Sequence, residues 1–341
     1  MYLIIQIPCF NEEKTLGVTI ADLPRHIEGI DRIEYLIIND GSTDGTVAEA
    51  RRLGVHHIVN FKNNKGLARG FMAGMEACIR LGADIIVNTD ADNQYCGEDI
   101  AKLVQPILDG KADIVVGERP ILETEHFSNR KKFFQRLGSW VVRLASKTDI
   151  PDAPSGFRAY SRESALRLNV TNEYTYTLET IIQAGRNKAA ITSVPIRTNP
   201  ELRESRLFRS MWSYMKRSAS VISRTYMMYR PLKFFGSLGA VVFIIGLGLG
   251  IRYLYFVFMG DTSGHVQSLL LMTVLLLLGT QLFLIGLLGD MIASNRKLLE
   301  DIQYRVRKND FEEPIITDAQ DIIIDEEHLR AAALHKIEKE C

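Results

Sequence analysis

Short apolar runs bounded by polar turns recur through the first part of the chain. Tyr2–Ile7, Glu34–Ile38, His57–Phe61, Asp84–Val87 and Ile114–Val116 have the length and composition of buried strands. Amphipathic stretches separate them. Pro8 is expected to end the first strand, with Asn11 as N-cap of the next helix and Glu12 and Glu13 in its first turn. Ser42 or Thr43 can cap a helix that runs through Arg51. Leu67, Phe71, Met75 and Ile79 give Gly66–Leu81 a helical period, and a further helix is expected near Glu98–Leu108. Strands alternating with helices predict an α/β fold with a mainly parallel sheet covered on both faces.

The pattern then changes. Between Phe127 and Lys147, apolar Phe133, Leu137, Trp140, Val141 and Leu144 alternate with basic residues, giving an amphipathic basic helix. Another begins at Leu207, with Trp212 and Tyr226 on its apolar side. Leu232–Phe258 and Val266–Leu288 are almost wholly apolar, and each exceeds the roughly 20 residues needed to cross a bilayer. Met259–His265 leaves room only for a hairpin turn. Arg224, Arg230 and Lys233 precede the pair, and Arg296, Lys297, Arg305 and Arg307 follow it. By the positive-inside rule both flanks, both termini and the N-terminal α/β part are expected on the cytoplasmic side, in a two-span membrane protein. Beyond Leu299 a short juxtamembrane helix, an acidic stretch and a helix from His328 are expected.

Lys and Arg together number 41, as do Asp and Glu, so bulk charge points to no nucleic-acid partner. Cys9, Cys78, Cys96 and Cys341 are scattered without metal or redox spacing, which suits a reducing compartment. The opening residues lack a basic n-region and Pro8 interrupts their apolar run, so no signal peptide is expected. Chemistry concentrates in Asn88-Thr89-Asp90-Ala91-Asp92-Asn93-Gln94-Tyr95. Two carboxylates one residue apart, just past a strand, project from the sheet edge where α/β proteins bind ligands. Mg²⁺ or Mn²⁺ would relieve their repulsion and leave coordination positions for phosphate oxygens and water. A solvated turn with an Asx-type cap is the plainer alternative for an isolated Asp-x-Asp. Asp40 follows another strand and is placed to accept hydrogen bonds from a nucleobase or ribose, or to serve turn chemistry alone. The Gly41–Gly45 turn matches neither the NTPase phosphate loop nor the dinucleotide fingerprint.

Ile7-Pro8-Cys9-Phe10-Asn11-Glu12-Glu13, Asn39-Asp40-Gly41-Ser42-Thr43-Asp44 and Asp90-Ala91-Asp92-Asn93-Gln94 resemble, in order, the signatures of family 2 glycosyltransferases. Within that family the chain resembles the polyprenyl-phosphate branch, which includes dolichol-phosphate mannosyltransferases. The resemblance implies a GT-A nucleotide-sugar domain. It implies that Pro8, Phe10, Glu12, Ile38 and Asp40 line a nucleoside site, that Asp90, Ala91 and Asp92 border the diphosphate, and that Asp92 and Gln94 reach the metal. Arg119 falls where the family has a donor-contacting arginine. Asn39 departs from the acidic residue common before the matched aspartate. Arg130, Arg136 and Ser139 are the nearest candidates for the acceptor phosphate. Asp152-Ala153-Pro154-Ser155-Gly156-Phe157-Arg158 resembles another family segment, in which Arg158 pairs with a phosphate or simply with Asp152. Arg203-Glu204-Ser205-Arg206 resembles the family's Arg-x-x-Gly-x-Ser-Lys region, with Arg in place of Lys, and the guanidinium groups of Arg203 and Arg206 suit donor or acceptor phosphates. Glu179 is accounted for by helix propensity or by a place facing the site.

Taken together, these signals predict a catalytic domain over 1–204, an interfacial helix over 205–231, two transmembrane helices over 232–289 and a cytoplasmic tail over 290–341. The expected activity is inverting transfer of a sugar from a UDP- or GDP-sugar to dolichyl or undecaprenyl phosphate at the cytoplasmic membrane face. Asp90, Asp92, Arg119 and Arg203 are the candidate catalytic residues, Mg²⁺ or Mn²⁺ the cofactor. The expected partners are the nucleotide sugar, the polyprenyl-phosphate lipid and the membrane; a homo-oligomer is left open. Transfer to another lipid or to a polysaccharide, or a non-catalytic nucleotide-sugar sensor, are the alternatives.

Overall fold

The computed structural model describes residues 1–120, 146, 148–170, 176–200, 220, 223–224, 226–228, 230–260, 266–311 and 323–325. Met1–Ile222 with Gln303–Cys341 form one compact unit and Ser223–Ile302 a second. The first unit contains, in chain order, β1 (Tyr2–Cys9), α1 (Leu16–Asp22), β2 (Arg32–Asn39), α2 (Thr46–Arg52), β3 (His57–Asn60), α3 (Leu67–Arg80), β4 (Ile85–Asn88), α4 (Ile100–Leu108), β5 (Ile114–Glu118), β6 (Arg158–Ser161), α5 (Arg162–Arg167), α6 (Thr177–Arg186) and β7 (Ile191–Pro195). The second contains α7 (Pro231–Phe258) and most of α8 (Val266–Asp310), and β8 (Ile323–Asp325) returns to the first.

All eight strands join one sheet in the order β7-β5-β6-β4-β1-β2-β3-β8. Only β6 runs against its neighbours β4 and β5; every other pairing is parallel. The carboxyl ends of β1, β2, β4, β5 and β7 therefore share one edge, and reversed β6 brings its amino end, Ser155–Gly156, to that same edge. The strand period of two divides the core between the faces. Leu3, Ile5 and Ile7 pack with Leu16, Ile20, Leu103 and Val104 on one side. Ile4, Leu36 and Ile38 pack with Phe71, Met75 and Tyr176 on the other.

Several boundaries differ from expectation for local reasons. Pro8 does not end β1, which continues to Cys9 with Pro8 beside Ile38. The main-chain bonds of Gln6 point towards β4, where Thr89 donates to its carbonyl, and pairing with β4 stops at Gln6–Asn88. Two residues on, the missing N–H of Pro8 faces the same side, beyond β4, and costs no ladder bond. Asn11 is not a helix cap. It sits at φ 57°, and α1 begins only at Leu16, with no acidic residue in its first turn. Neither Ser42 nor Thr43 caps α2, which starts after Gly45; instead the backbone N–H of Thr46 donates to Asp44 Oδ1 at 3.1 Å. A single 3₁₀ turn, Gly97–Asp99, precedes α4.

In the second unit, α7 and α8 approach closely enough to exclude side chains between them. A Cβ on Gly239 would lie 2.8 Å from the Gly279 carbonyl, and one on Gly279 would lie 2.8 Å from Phe243 Cβ. Such contact between small residues is how apolar helices pack in lipid. Both helices are long and apolar enough to cross a membrane, and Ile251, Leu254, Leu270 and Leu288 point outward, fully half exposed. The helix expected beyond Leu299 is present but not separate, because α8 continues unbroken to Asp310. Its last turns belong to the first unit. There the Tyr304 hydroxyl donates to Glu163 Oε1 at 2.7 Å, and Phe311 is buried in the α3 face of the core. The basic stretch from Phe127 to Lys147, apart from Ser146, nearly all of the stretch from Leu207 to Tyr226, and the tail from His328 lie outside the described residues.

Candidate active site

Three loops at the shared sheet edge are stitched to one another. After β1, the Asn11 backbone N–H donates to Ser42 Oγ at 2.9 Å, and Asn11 Oδ1 accepts from the Thr43 N–H at 2.8 Å. The Glu12 N–H donates to Thr46 Oγ1 at 2.9 Å, while Thr15 Oγ1 donates to Glu12 Oε2 at 2.7 Å. The residues expected to cap helices thus tie the β1 loop to the β2 loop. Asp40, 7 % exposed, accepts the Lys65 N–H at 2.6 Å and the Gly66 N–H at 3.0 Å, which fixes the loop entering α3. Gly41 makes that approach feasible: it adopts φ +68°, and a Cβ there would fall 2.5 Å from the backbone of Asn63 and Asn64. Asn39 holds the same turn by accepting the Ser42 N–H at 3.1 Å. Phe10 is the exposed aromatic of this corner, at 40 %. Pro8 is half-buried beneath it in sequence, and the Ile38 side chain is wholly buried against Gly70 and Gly74 of α3.

The acidic turn follows β4. Ala91 is buried, and its carbonyl accepts Thr19 Oγ1 at 2.9 Å. Asp92 Oδ1 accepts the Gln94 N–H at 3.2 Å, so the Asx-type bond of the plainer reading exists. Oδ2 takes no hydrogen bond among the described residues, and Asp90, Asp92 and Gln94 are all half-buried rather than solvated. The Gln94 carbonyl accepts the Asn199 N–H at 2.8 Å, and Arg197 pairs with Asp99 at 2.8 Å. The segment after β7 therefore buttresses the turn. Asp90, Asp92 and Gln94 offer oxygen donors, and no cluster of three His, Cys, Asp or Glu of metal-holding kind occurs among the described residues. That set fits a hard divalent cation whose remaining positions go to phosphate oxygens and water, not a closed structural zinc site.

The segment before β6 forms the adjoining wall. A Cβ on Gly156 would lie 3.4 Å from both Asp90 carboxylate oxygens, so the Gly156 backbone faces that carboxylate with about the space of a methyl group between them. Asp152, 1 % exposed, holds Arg119 in a fork: Nε to Oδ2 at 2.7 Å and Nη2 to Oδ1 at 2.9 Å. Burial opposes the charge of Arg119, but the fields of Asp152, Tyr95 and Asp90 outweigh it and hold the guanidinium firmly ionised. Arg158 is occupied within the protein fold. It is wholly buried and donates to the carbonyls of Ser155 (2.8 Å) and Ala153 (2.7 Å) and to Thr180 Oγ1 (2.7 Å). Glu179, 1 % exposed, is inside α6. Burial, with the negative charge of Asp90 adding to it, pushes the phenols of Tyr95 and Tyr176 above their ordinary range.

The structure thus brings Phe10, Glu12, Asp40, Asp90, Ala91, Asp92, Gln94 and Arg119 to loops of one sheet edge. Arg130, Arg136, Ser139, Arg203 and Arg206 lie outside the described residues. The sequence places Asn88 and Tyr95 at the two ends of the acidic stretch but gives neither a role of its own, and it gives none to Tyr176, which stands in a polar segment with no apolar run before it.

Residues 4–168 match the sequence pattern of Glycosyl transferase family 2. A UDP-N-acetylglucosamine–dolichyl-phosphate N-acetylglucosaminyltransferase of Methanococcus voltae is 33 % identical over 220 residues, covering 58 % of this chain and 85 % of that protein. A polyprenol monophosphomannose synthase of Mycolicibacterium smegmatis is 26 % identical over 204 residues, 57 % of this chain and 76 % of that protein. Among solved structures, glucosyl-3-phosphoglycerate synthase of Mycobacterium tuberculosis in complex with UDP is similar at TM-score 0.52 and 21 % identity, covering 66 % of this chain and 78 % of that one. The same enzyme with Mn²⁺, UDP and glucosyl-3-phosphoglycerate is similar at TM-score 0.51 and 18 % identity, over 66 % of this chain and 78 % of that one. These likenesses show a GT-A fold.

Proposed function

The chain belongs to the family 2 glycosyltransferases, and from that premise we propose that it moves a sugar from a nucleoside-diphosphate donor to a polyprenyl phosphate, with inversion at the anomeric carbon. The observation that carries this reading is the meeting, at one sheet edge, of the Asp90–Gln94 turn, the ionised Arg119 and the exposed Phe10. Relatives named for dolichyl-phosphate and polyprenol substrates support the acceptor class.

In this reading Phe10 stacks on the base, and Asp40 shapes the pocket floor through the turn entering α3. Asp92 and Gln94, with Asp90 beside them, would hold Mg²⁺ or Mn²⁺ against the diphosphate; glucosyl-3-phosphoglycerate synthase, which shares the fold, is solved with Mn²⁺ and UDP together, and this supports that choice. When bound, the metal supplies positive charge for the leaving diphosphate. Arg119, fixed by Asp152, adds a cation on the same side without needing to reorganise. An acceptor phosphate oxygen attacks the anomeric carbon in line. The new C–O bond forms as the bond to the nucleoside diphosphate breaks, and the electron pair leaves with the diphosphate. The acceptor is already ionised near neutral pH, so no general base is required and orientation carries most of the catalysis. We assign α7 and the apolar part of α8 to the membrane, with catalytic domain and termini cytoplasmic, and the domain limits 1–204, 205–231, 232–289 and 290–341. Arg130, Arg136, Ser139, Arg203 and Arg206 are proposed to meet the acceptor phosphate.

The test is a screen of UDP- and GDP-sugars with a short polyprenyl phosphate and Mn²⁺, alongside diacylglycerol and oligosaccharide acceptors, with products read by mass spectrometry. A glycosylated polyprenyl phosphate is expected. Transfer confined to another acceptor, or donor binding with no transfer to any, would overturn the reading.

A further inference from the structure

Beneath the acidic turn runs a buried polar chain that the proposed chemistry does not use. Asn88, the last residue of β4, is wholly buried, as is Gln6 of β1 beside it. Gln6 Nε2 donates to Asn88 Oδ1 at 3.0 Å. Asn88 Nδ2 donates in turn to the Gly156 carbonyl at 2.9 Å and to the Tyr176 hydroxyl at 2.8 Å. The Tyr176 hydroxyl also reaches the Gly156 carbonyl, at 3.4 Å, and the Gly156 N–H donates to the Tyr95 hydroxyl at 3.3 Å. Both rings are clamped. Tyr176 stacks on Phe71 with centroids 3.9 Å apart, and Tyr95 stacks on Phe157 at 4.8 Å. Both polar groups of Gly156 thus end on buried side chains.

A buried amide is costly unless its hydrogen bonds are made, and an apolar strand end would serve the core as well. What Asn88 adds is a link between two things that must stay in register: the strand that carries Asp90, two residues on, and the backbone that faces its carboxylate. We propose that Asn88, with Tyr176 as its partner, is a positioning residue that sets the Gly156 backbone against Asp90 and so fixes the orientation of the acidic turn towards cation and diphosphate. The inference rests on the function proposed above. It concerns geometry, since neither side chain touches the reacting atoms.

The experiment uses the full chain in detergent micelles, unmodified and as Asn88→Leu and Tyr176→Phe. Mn²⁺ uptake is followed by the loss of the free-ion electron paramagnetic resonance signal, with UDP and in a parallel arm with GDP. Asn88→Leu keeps the branched shape in a bulkier side chain and removes every polar contact; Tyr176→Phe keeps the stacked ring and removes one oxygen. Asn88→Leu is expected to weaken Mn²⁺ uptake about tenfold or more, as loss of an outer supporting partner does. Tyr176→Phe should weaken it about fivefold, the worth of one hydrogen bond. In turnover, the Mn²⁺ concentration giving half-maximal rate should rise by the same factors while the KM for polyprenyl phosphate stays within about a factor of two; loss of folded protein lowers the maximal rate but moves neither constant. If Asn88→Leu does not fold, Tyr176→Phe decides alone. Folded variants that take up Mn²⁺ and turn over as the unmodified chain does overturn this inference and leave the proposed function standing. An unmodified chain that takes up no Mn²⁺ with either nucleotide overturns both.

Discussion

Asp152→Asn tests whether the wall of the site is held by the Arg119 fork. The pair is close to fully buried, with side-chain exposures of 14 % for Arg119 and 1 % for Asp152. Arg119 alone directs three hydrogen bonds at the carboxylate: Nε at 2.7 Å, Nη2 at 2.9 Å and the backbone N–H at 3.3 Å. Asparagine keeps the volume and one acceptor oxygen, so one arm of the fork is lost along with the charge. Breaking a buried pair by removing one partner costs about 3–5 kcal/mol, and a charge-assisted bond alone about 1.5–3 kcal/mol. The retained acceptor puts the expected loss near 3 kcal/mol. For a unit of this size each kcal/mol moves the melting midpoint by about 2–4 °C, so a drop of about 6–12 °C is expected. Differential scanning fluorimetry on the detergent-solubilised chain reads it. Turnover at a permissive temperature should also fall, because the guanidinium is no longer fixed. A melting midpoint within about 2 °C of the unmodified chain would refute the reasoning, since a pair this buried cannot be lost without effect.

Three further outcomes are expected. Glu34 is pulled down to about 2 from its ordinary 4.5: burial opposes its charge, but His57, Tyr2 and Arg32 all hydrogen-bond to it and prevail. A depressed folded-state pKa gives stability that is present above pH 4.5 and lost as pH falls towards 2; melting midpoints measured across that window should fall less steeply in Glu34→Gln. Gly41→Ala forces a Cβ to within 2.5 Å of the Asn63 and Asn64 backbone at φ +68°. It should cost about 1–3 kcal/mol of stability, read as a lower melting midpoint, and weaken binding of UDP or GDP, measured by calorimetry on the folded variant. Asp92→Asn should abolish transfer, and chelation with EDTA should do the same to the unmodified chain until Mn²⁺ is restored; turnover assays check both.

Sequence pattern reveals the parallel half of this fold because buried parallel strands are nearly continuous apolar runs. Tyr2–Ile7, Glu34–Ile38 and Asp84–Val87 read that way, and all three are central strands. Strand β6 does not. It opens on Arg158, whose burial depends on carbonyls at Ala153 and Ser155 and on Thr180 from α6, and a linear pattern shows the charge but not its acceptors. The same limit hid the helix starts. Asn11, Ser42 and Thr43 have cap chemistry, but their hydrogen bonds run to residues more than thirty positions away, so tertiary partners override the local preference. At the site, the Asp90 and Asp92 spacing is visible in the chain. The Arg119–Asp152 fork joins residues 33 apart, and the Asn88 link to Gly156 joins residues 68 apart; neither leaves a local trace.

The account depends on the turn from Asp90 to Gln94 holding a divalent cation against a donor diphosphate. Crystals of the chain grown with Mn²⁺ and soaked with UDP, and separately with GDP, would be measured at the manganese absorption edge. An anomalous peak beside Asp92 and Gln94, next to diphosphate density with the base near Phe10, is the result expected. Nucleotide bound at this edge with no peak there, or a peak among other residues, would contradict the account.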